Sequence, residues 1–363
     1  MSQLYVGIMS GTSLDGIDLV LVDFSPPAPV LVRTHHCAFP AALRQQLFTL
    51  SQPGANEIDC LGLAEAQLAE AYATATLQLL ERAGVTASAV KAIGCHGQTI
   101  RHRPDGHYGF SYQAGDMFRL AVQSQIRVIS KFRQKDMALG GQGAPLVPAF
   151  HKAVFASPTE ARAVVNIGGI ANATLLRPGQ PVTGFDTGPG NCLMDLWVQQ
   201  HGLGPYDQNG DFAASGQLHA GLLQSLWQDP YFSRSGPKST GREHFNQQWL
   251  NKALKDFALP AADVQRTLTR FTAETIMAAL PKNVAQLYLC GGGAYNAQLV
   301  RELQQLRPAA AVDSTKALGI DPNWVEAMAF AWLAFAYDQK LPGNLPEVTG
   351  ASKATVLGIE FSY

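Results

Sequence analysis

The sequence predicts an α/β protein made of two lobes. Three observations carry that expectation. Short apolar runs alternate with longer segments rich in Ala, Leu and Glu. A strand, a glycine-containing turn and a second strand occur at the N-terminus and again in the second half of the chain. A length of 363 residues is also enough for more than one core. Hydrophobic residues make up 47% and charged residues 15%, a balance that excludes a disordered chain. The formal net charge of −1 leaves no electrostatic footprint for nucleic acid or an anionic membrane. The longest apolar stretch, residues 327–337, is about half a membrane span, and no basic segment precedes the first strand. Five scattered cysteines (Cys37, Cys60, Cys95, Cys192 and Cys290) lack metal-ligand spacing, and their odd number suits reduced thiols. A cytoplasmic protein is expected, with neither nucleic acid nor membrane as partner.

The chain opens with a strand, the turn Gly11-Thr12-Ser13-Leu14-Asp15-Gly16, and a second strand through Ile17 and Asp18. Gly11 and Gly16 allow positive φ and close approach of a ligand to the backbone. Turn amides and the Thr12 and Ser13 hydroxyls suit an anion, while Asp15 and Asp18 suit Mg²⁺ held between carboxylate and phosphate oxygens. A plain tight hairpin uses the same residue types. The absence of Gly-Lys-Ser/Thr and of a following helix excludes a P-loop, and the missing helix also argues against a dinucleotide fingerprint.

A third strand is expected at residues 30–37, a long helix at 61–82 and a short strand at 90–94. That strand leads into Cys95-His96-Gly97-Gln98-Thr99, read as a strand-end loop with His96 and Gln98 as candidate ligand contacts or as ordinary loop residues. A further strand falls at 126–130, with a change of lobe soon after. The second hairpin, residues 163–176, turns at Gly168-Gly169. Asp186 lies in GFDTGPGN, expected at a strand end before the helix from Cys192, where it either serves a ligand or closes an Asx-turn. Residues 235–243, with Lys238 and Arg242, form a loop that suits either a clamp over a charged ligand or a solvated surface. A buried strand then enters Gly291, Gly292 and Gly293, whose entropic cost fits close approach of a flat ligand. Helices at 263–280, 297–306 and 322–337 and a strand at 356–361 complete the chain.

The order hairpin, hairpin, strand-to-helix resembles the actin, hexokinase and heat-shock-chaperone ATPase superfamily, two RNase H-like lobes closing on ATP. More specifically, the chain resembles the anhydro-N-acetylmuramic acid kinases. The matching stretches are GIMSGTSLDGID (7–18), CHGQT (95–99), GGQGAPLVP (140–148), NIGGIAN (166–172) and GFDTGPGN (184–191). PKSTGRE (237–243), CGGGAYN (290–296), EAMAFAWLA (326–334) and VTGA (348–351) extend the match to the C-terminus. Lys131 departs from it, standing where an acidic residue is expected.

This resemblance implies an actin-like ATPase fold with an interlobe ATP cleft, with residues 1–130 and 340–363 in one lobe and 131–339 in the other. It implies that Gly11, Thr12, Ser13, Leu14, Asp15, Gly16, Ile17 and Asp18 hold the ATP phosphates. Gly168 and Gly169 form the second phosphate turn, Gly291 to Gly293 lie by the adenosine, and Asp15 and Asp18 are the candidate Mg²⁺ ligands. Family members open the anhydro bridge of 1,6-anhydro-N-acetylmuramic acid with water and phosphorylate O6, giving N-acetylmuramic acid 6-phosphate and ADP in cell-wall recycling. Asp186 is the expected base, and His96, Gln98 and Glu326 are the expected sugar contacts. The family suggests a homodimer. Another sugar kinase of the superfamily is the alternative.

Overall fold

The computed structural model describes residues 2–234, 238 and 240–363. Ser235, Gly236 and Ser239 of the 235–243 loop, with Pro237, which also opens the PKSTGRE stretch, lie outside the described residues. The chain divides into one unit of residues 1–154 and 324–363 and a second of residues 155–323.

In the first unit, β1 (Leu4–Ser10), β2 (Ile17–Asp23) and β3 (Val30–Cys37) form an antiparallel meander. β4 (Val90–Arg103) runs parallel to β1, and β6 (Val128–Ser130) runs parallel to β4. β5 (Phe110–Ala114) pairs with the end of β4, and the last strand, β12 (Ile359–Phe361), with β6. The second unit repeats the plan. There β7 (Arg162–Ile167), β8 (Ile170–Leu176) and β9 (Thr183–Pro189) form the meander. β10 (Gln286–Cys290) and β11 (Ala311–Ser314) extend it in parallel beyond β7. The orders β3-β2-β1-β4-β6 and β9-β8-β7-β10-β11 are the same RNase H-like path, so the actin-like ATPase fold expected from the sequence is present.

Both faces of β1 are covered, which is why it reads as an apolar run and not as an alternating strand. Val6 and Ile8 join Leu68, Tyr72 and Leu79 of the helix Glu57–Ala83 in one core. On the other side the helix Val325–Asp338 lies so close that a Cβ at Gly7 would overlap the Ala327 carbonyl, and one at Gly94 the Phe330 carbonyl. That close approach places the helix in the first unit, whereas the sequence reading assigned it to the second lobe. Residues 131–154 also belong to the first unit. Asp136 is fully buried and accepts hydrogen bonds from Gly143 N (2.8 Å), Asn344 Nδ2 (2.7 Å) and Thr349 Oγ1 (2.7 Å). These bonds tie the GGQGAPLVP segment to the VTGA segment, so the lobe boundaries fall at 154/155 and 323/324 instead of 130 and 340. In the second unit, Leu268, Phe271 and Ile276 of the helix Ala261–Ala279 share one core with Ala163, Val165 and Ile167 of β7. No helix among the described residues is long and apolar enough to cross a membrane.

Candidate active site

The first turn is held by its carbonyls. Leu14 N and Gln98 Nε2 donate to the Gly11 carbonyl at 3.2 and 3.1 Å, and Arg44 Nε donates to the Leu14 carbonyl at 2.9 Å. The left-handed conformation falls on Leu14 (φ 55°), not on Gly11 or Gly16, and burial of the leucine side chain holds it there. Gly16 is small for a different reason. A Cβ there would come 2.5 Å from His36 Cε1 and 2.6 Å from the Cys37 carbonyl on β3. Around Gly11 the nearest atom to such a Cβ is Ser13 Oγ at 3.5 Å, leaving room for a ligand. Thr12, Ser13 and Asp15 are exposed. Asp18 faces His36 across the β2–β3 pairing, with Oδ1 2.7 Å from His36 Nδ1, and burial raises its pKa. Two carboxylates beside two hydroxyls are hard oxygen donors of the kind Mg²⁺ takes. Among the described residues no three His, Cys, Asp or Glu side chains are grouped to hold an ion. A cation at Asp15 and Asp18 would therefore draw further ligands from phosphate and water, as Mg²⁺ ordinarily does.

His96 and Gln98 are not in a loop. β4 continues to Arg103 because β1 and β5 supply partners, with Gln98 opposite both Ser10 and Ala114. His96 is buried, and its Nε2 accepts from Arg133 Nη2 at 2.8 Å and from Nε at 3.2 Å. A guanidinium only donates, so the imidazole is neutral. Burial, then the Arg133 charge, hold its pKa well below the ordinary value. Burial also lowers Arg133 to about 10, opposed by the charges of Glu326 and Asp136. The His96 ring lies 4.7 Å from that of Phe330, one turn along the helix from Glu326. His96 and Glu326 thus meet around Arg133, which the sequence reading passed over. Its only signal was a cation three residues after a buried strand. Gln98 is turned to Gly11, and its Oε1 is buried with no hydrogen-bond partner among the described residues. Lys131, the departure from the family pattern, donates to the Gln113 carbonyl at 2.9 Å.

In the second unit the turn between β7 and β8 is Gly168-Gly169. Gly190 N and Cys192 N donate to the Gly169 carbonyl (2.9 and 3.1 Å), and Asn191 N to the Gly168 carbonyl (2.8 Å). Asn191 precedes the helix Cys192–Gln200 but makes no side-chain cap; its Nδ2 donates to the Ile167 carbonyl at 3.0 Å instead. A Cβ at Gly168 would meet nothing nearer than 3.7 Å. Of the three consecutive glycines, two are explained by the protein itself. Gly291 has φ 75° and lies against Asn166, and a Cβ at Gly293 would overlap Ile167. Gly292 has open space, with Asn191 Nδ2 nearest at 3.6 Å. Asn296 caps the following helix by accepting from Leu299 N at 2.9 Å.

Asp186 sits within β9, paired with Asn172 of β8, and not at a strand end. Its carboxylate closes no Asx-turn: Oδ2 accepts from Thr240 N at 3.0 Å. The main chain is held on both sides, the amide donating to the Lys238 carbonyl (2.9 Å) and the carbonyl accepting from Tyr231 Oη (2.7 Å). Burial pushes its pKa up to about 6, with the Thr240 amide opposing and Glu243 adding to the rise. Such a carboxylate is mostly ionised at neutral pH yet basic enough to take a proton in a transition state. A cavity of about 340 Å³ opens beside β9, but it is lined by Thr183, Phe185 and Thr187, with Trp227 and Phe232, and not by Asp186.

Comparison with known proteins places the chain in a family. The model of the anhydro-N-acetylmuramic acid kinase family matches residues 3–363. An anhydro-N-acetylmuramic acid kinase of Shewanella halifaxensis is 52% identical over 363 residues, covering 98% of this chain and 98% of its own. One of Shewanella amazonensis is 50% identical, covering 99% of each. Among solved structures, component A of the (R)-2-hydroxyglutaryl-CoA dehydratase of Acidaminococcus fermentans covers 93% of this chain and 98% of its own. Its TM-score is 0.50 at 12% identity, a likeness of fold alone. With matches of this identity running the length of the chain, it belongs to the anhydro-N-acetylmuramic acid kinase family.

Proposed function

We propose that this chain transfers the γ-phosphoryl group of ATP to 1,6-anhydro-N-acetylmuramic acid, opening the anhydro bridge with water. The products are N-acetylmuramic acid 6-phosphate and ADP, a step of cell-wall recycling. Family membership supports the substrate, and the buried, backbone-held carboxylate of Asp186 carries the mechanism. Asp186 takes a proton from water as the water oxygen bonds to the anomeric carbon and the bond from that carbon to O6 breaks. The released O6 attacks the γ-phosphorus and ADP leaves, a transfer governed by positioning and charge. Residues 11–18 and the Gly168-Gly169 turn bind the phosphates, and Gly291 to Gly293 lie by the adenosine. The open faces at Gly11, Gly168 and Gly292 support that placement. Mg²⁺ at Asp15 and Asp18 would supply neutralisation of phosphate charge. His96, Gln98 and Glu326 contact the sugar, with Arg133 fixing the imidazole. The same reading makes the protein a cytoplasmic homodimer; five free cysteines support the compartment.

The test is incubation with Mg-ATP and a panel of sugars in ¹⁸O-water. ADP should form with the anhydro sugar, and rapid analysis should find label on the anomeric carbon and none bridging to phosphorus. ADP formation with ordinary hexoses but not with the anhydro sugar would refute the reading in favour of another sugar kinase.

A further inference from the structure

We propose that Arg242 is a catalytic residue of phosphoryl transfer, lying on the Gly168-Gly169 turn to neutralise the group in flight; this rests on the reading that the turn holds ATP phosphates. The argument begins with why residue 169 is glycine. Its φ lies outside the left-handed region, so the backbone there demands no glycine. The three atoms nearest to a Cβ would all belong to Arg242: Nε at 2.6 Å, Nη2 at 2.7 Å and Cζ at 3.0 Å. The arginine itself occupies the space that the missing side chain leaves.

Arg242 is exposed and has no carboxylate within ion-pair distance among the described residues. Of the other arginines of the second unit, Arg266 and Arg270 pair with Glu302 and Arg162 with Glu160, whereas Arg177, Arg234, Arg301 and Arg307 also lack a carboxylate partner among the described residues, so it is the seat on Gly169 that sets Arg242 apart. The charge of Arg242 is felt by Asp195, which burial nonetheless raises to about 7. An unpaired guanidinium resting on a glycine turn is half of an anion site. Its planar edge can meet two phosphoryl oxygens at once, which an ammonium cannot do.

The same short segment serves the base. Thr240, two residues before Arg242, gives its amide to Asp186, and Glu243, one residue after, raises the Asp186 pKa. Residues 240–243 therefore link the carboxylate that activates water to the cation over the phosphate turn. A surface arginine with no role would have no reason to lie on Gly169, and its removal would be silent.

The experiment compares wild type, Arg242→Ala, Arg242→Lys, Gly169→Ala and the Arg242→Ala/Gly169→Ala pair. Calorimetry without sugar should show Arg242→Ala binding ADP within about twofold of wild type, while a non-hydrolysable ATP analogue binds at least about tenfold more weakly. With sugar, kcat should fall about 10³-fold, toward the lower end of the range for arginines that stabilise phosphoryl transfer. Lysine should restore little, and added guanidinium ion should restore part of the rate to the alanine variant. Gly169→Ala should displace the guanidinium, so that its effect and that of Arg242→Ala, which remove the same contact, combine to less than their sum. Equal loss of ADP and ATP-analogue affinity, or no loss of either, would overturn the proposal. Fully additive effects of the two substitutions would do the same. The calorimetry needs no sugar, so an inactive wild type with an intact ADP/ATP contrast would count against the substrate and not against Arg242.

Discussion

The two units build the same strand path and finish it with different turns. In the first, six residues (11–16) separate β1 from β2. That turn carries its own hydroxyls and carboxylates and is braced by side chains, Gln98 and Arg44. In the second, only Gly168 and Gly169 separate β7 from β8, and backbone amides at the start of the next helix brace them. The second turn has no chemistry of its own. Under the proposed function its base comes from β9 and its cation from the 240–243 segment. A long turn can carry functional groups, whereas a short rigid one serves as a floor on which other elements place them.

The strongest way to break this contrast is at Asp186. If chemistry is supplied to the second turn from β9, Asp186→Asn should keep nucleotide and sugar binding while ring opening and phosphorylation fall together. The loss should be about 10²–10⁴-fold, the usual contribution of a general base. Near-normal turnover measured by ADP release would remove Asp186 from the mechanism.

Much of this was legible in the sequence, and the failures share a cause. The two hairpins, the glycine triplet and the helix after Asn191 follow from local pattern, and the structure contains them. His96 is expected in a strand-end loop because the apolar run stops at Gly94, and Asp186 at a strand end because Gly188, Pro189 and Gly190 suit a sharp turn before the helix. β1 nevertheless pairs with Cys95 and Gln98, β5 pairs from Gln98 onward, and β8 pairs with Asp186 and Gly188, and these partners extend both strands. The lobe boundary failed because Gly7 and Gly94, far apart in sequence, together admit the helix Val325–Asp338. Arg133 was missed because its partners His96 and Glu326 lie 37 residues before it and 193 after it (133 − 96 and 326 − 133). Pairings at such separations leave no periodic trace.

The glycines sharpen the comparison next. Each unit has a crowded glycine and an open one: Gly16 and Gly11 in the first, Gly293 and Gly292 in the second. Alanine at Gly16 or Gly293 should destabilise by about 1–3 kcal/mol through overpacking. Alanine at Gly11 or Gly292 should leave the thermal midpoint nearly unchanged and weaken ATP binding. Thermal melts paired with nucleotide titration separate the classes. If Gly292→Ala binds ATP as tightly as wild type, the adenosine lies elsewhere.

The pH profile is a smaller effect of defined sign. Asp186 has a folded pKa of about 6, above the ordinary 3.8. The base works ionised, so kcat/KM should fall as pH drops below about 6, by roughly tenfold one unit lower and roughly a hundredfold two units lower. Stability runs the other way. Folding favours the protonated acid, so the Asp186 contribution is fully present below the ordinary pKa and is lost as pH rises to about 6. Asp186→Asn should then melt no lower than wild type at neutral pH. A wild-type profile flat from pH 5 to 7 would show that Asp186 does not limit the rate.

The smallest expected effect tests whether the first turn's carboxylates are at work. Asp18 is held by His36 on β3, as Asp186 is held by Thr240, but the His36–Asp18 pair is much more open, with side chains 50% and 37% exposed. Exposed pairs contribute about 1 kcal/mol or less, so His36→Ala should barely move the melting temperature. Its effect should appear instead in the metal. With Asp18 no longer oriented, the Mg²⁺ concentration giving half-maximal velocity at saturating ATP should rise a few-fold. Asp15→Asn and Asp18→Asn should each raise it further, because they remove a ligand and not just its support. Velocity titrated against Mg²⁺ for the three variants checks the order. If all three curves overlay the wild type, the carboxylates of the first turn only shape the hairpin, and both turns would then depend on other elements for their chemistry.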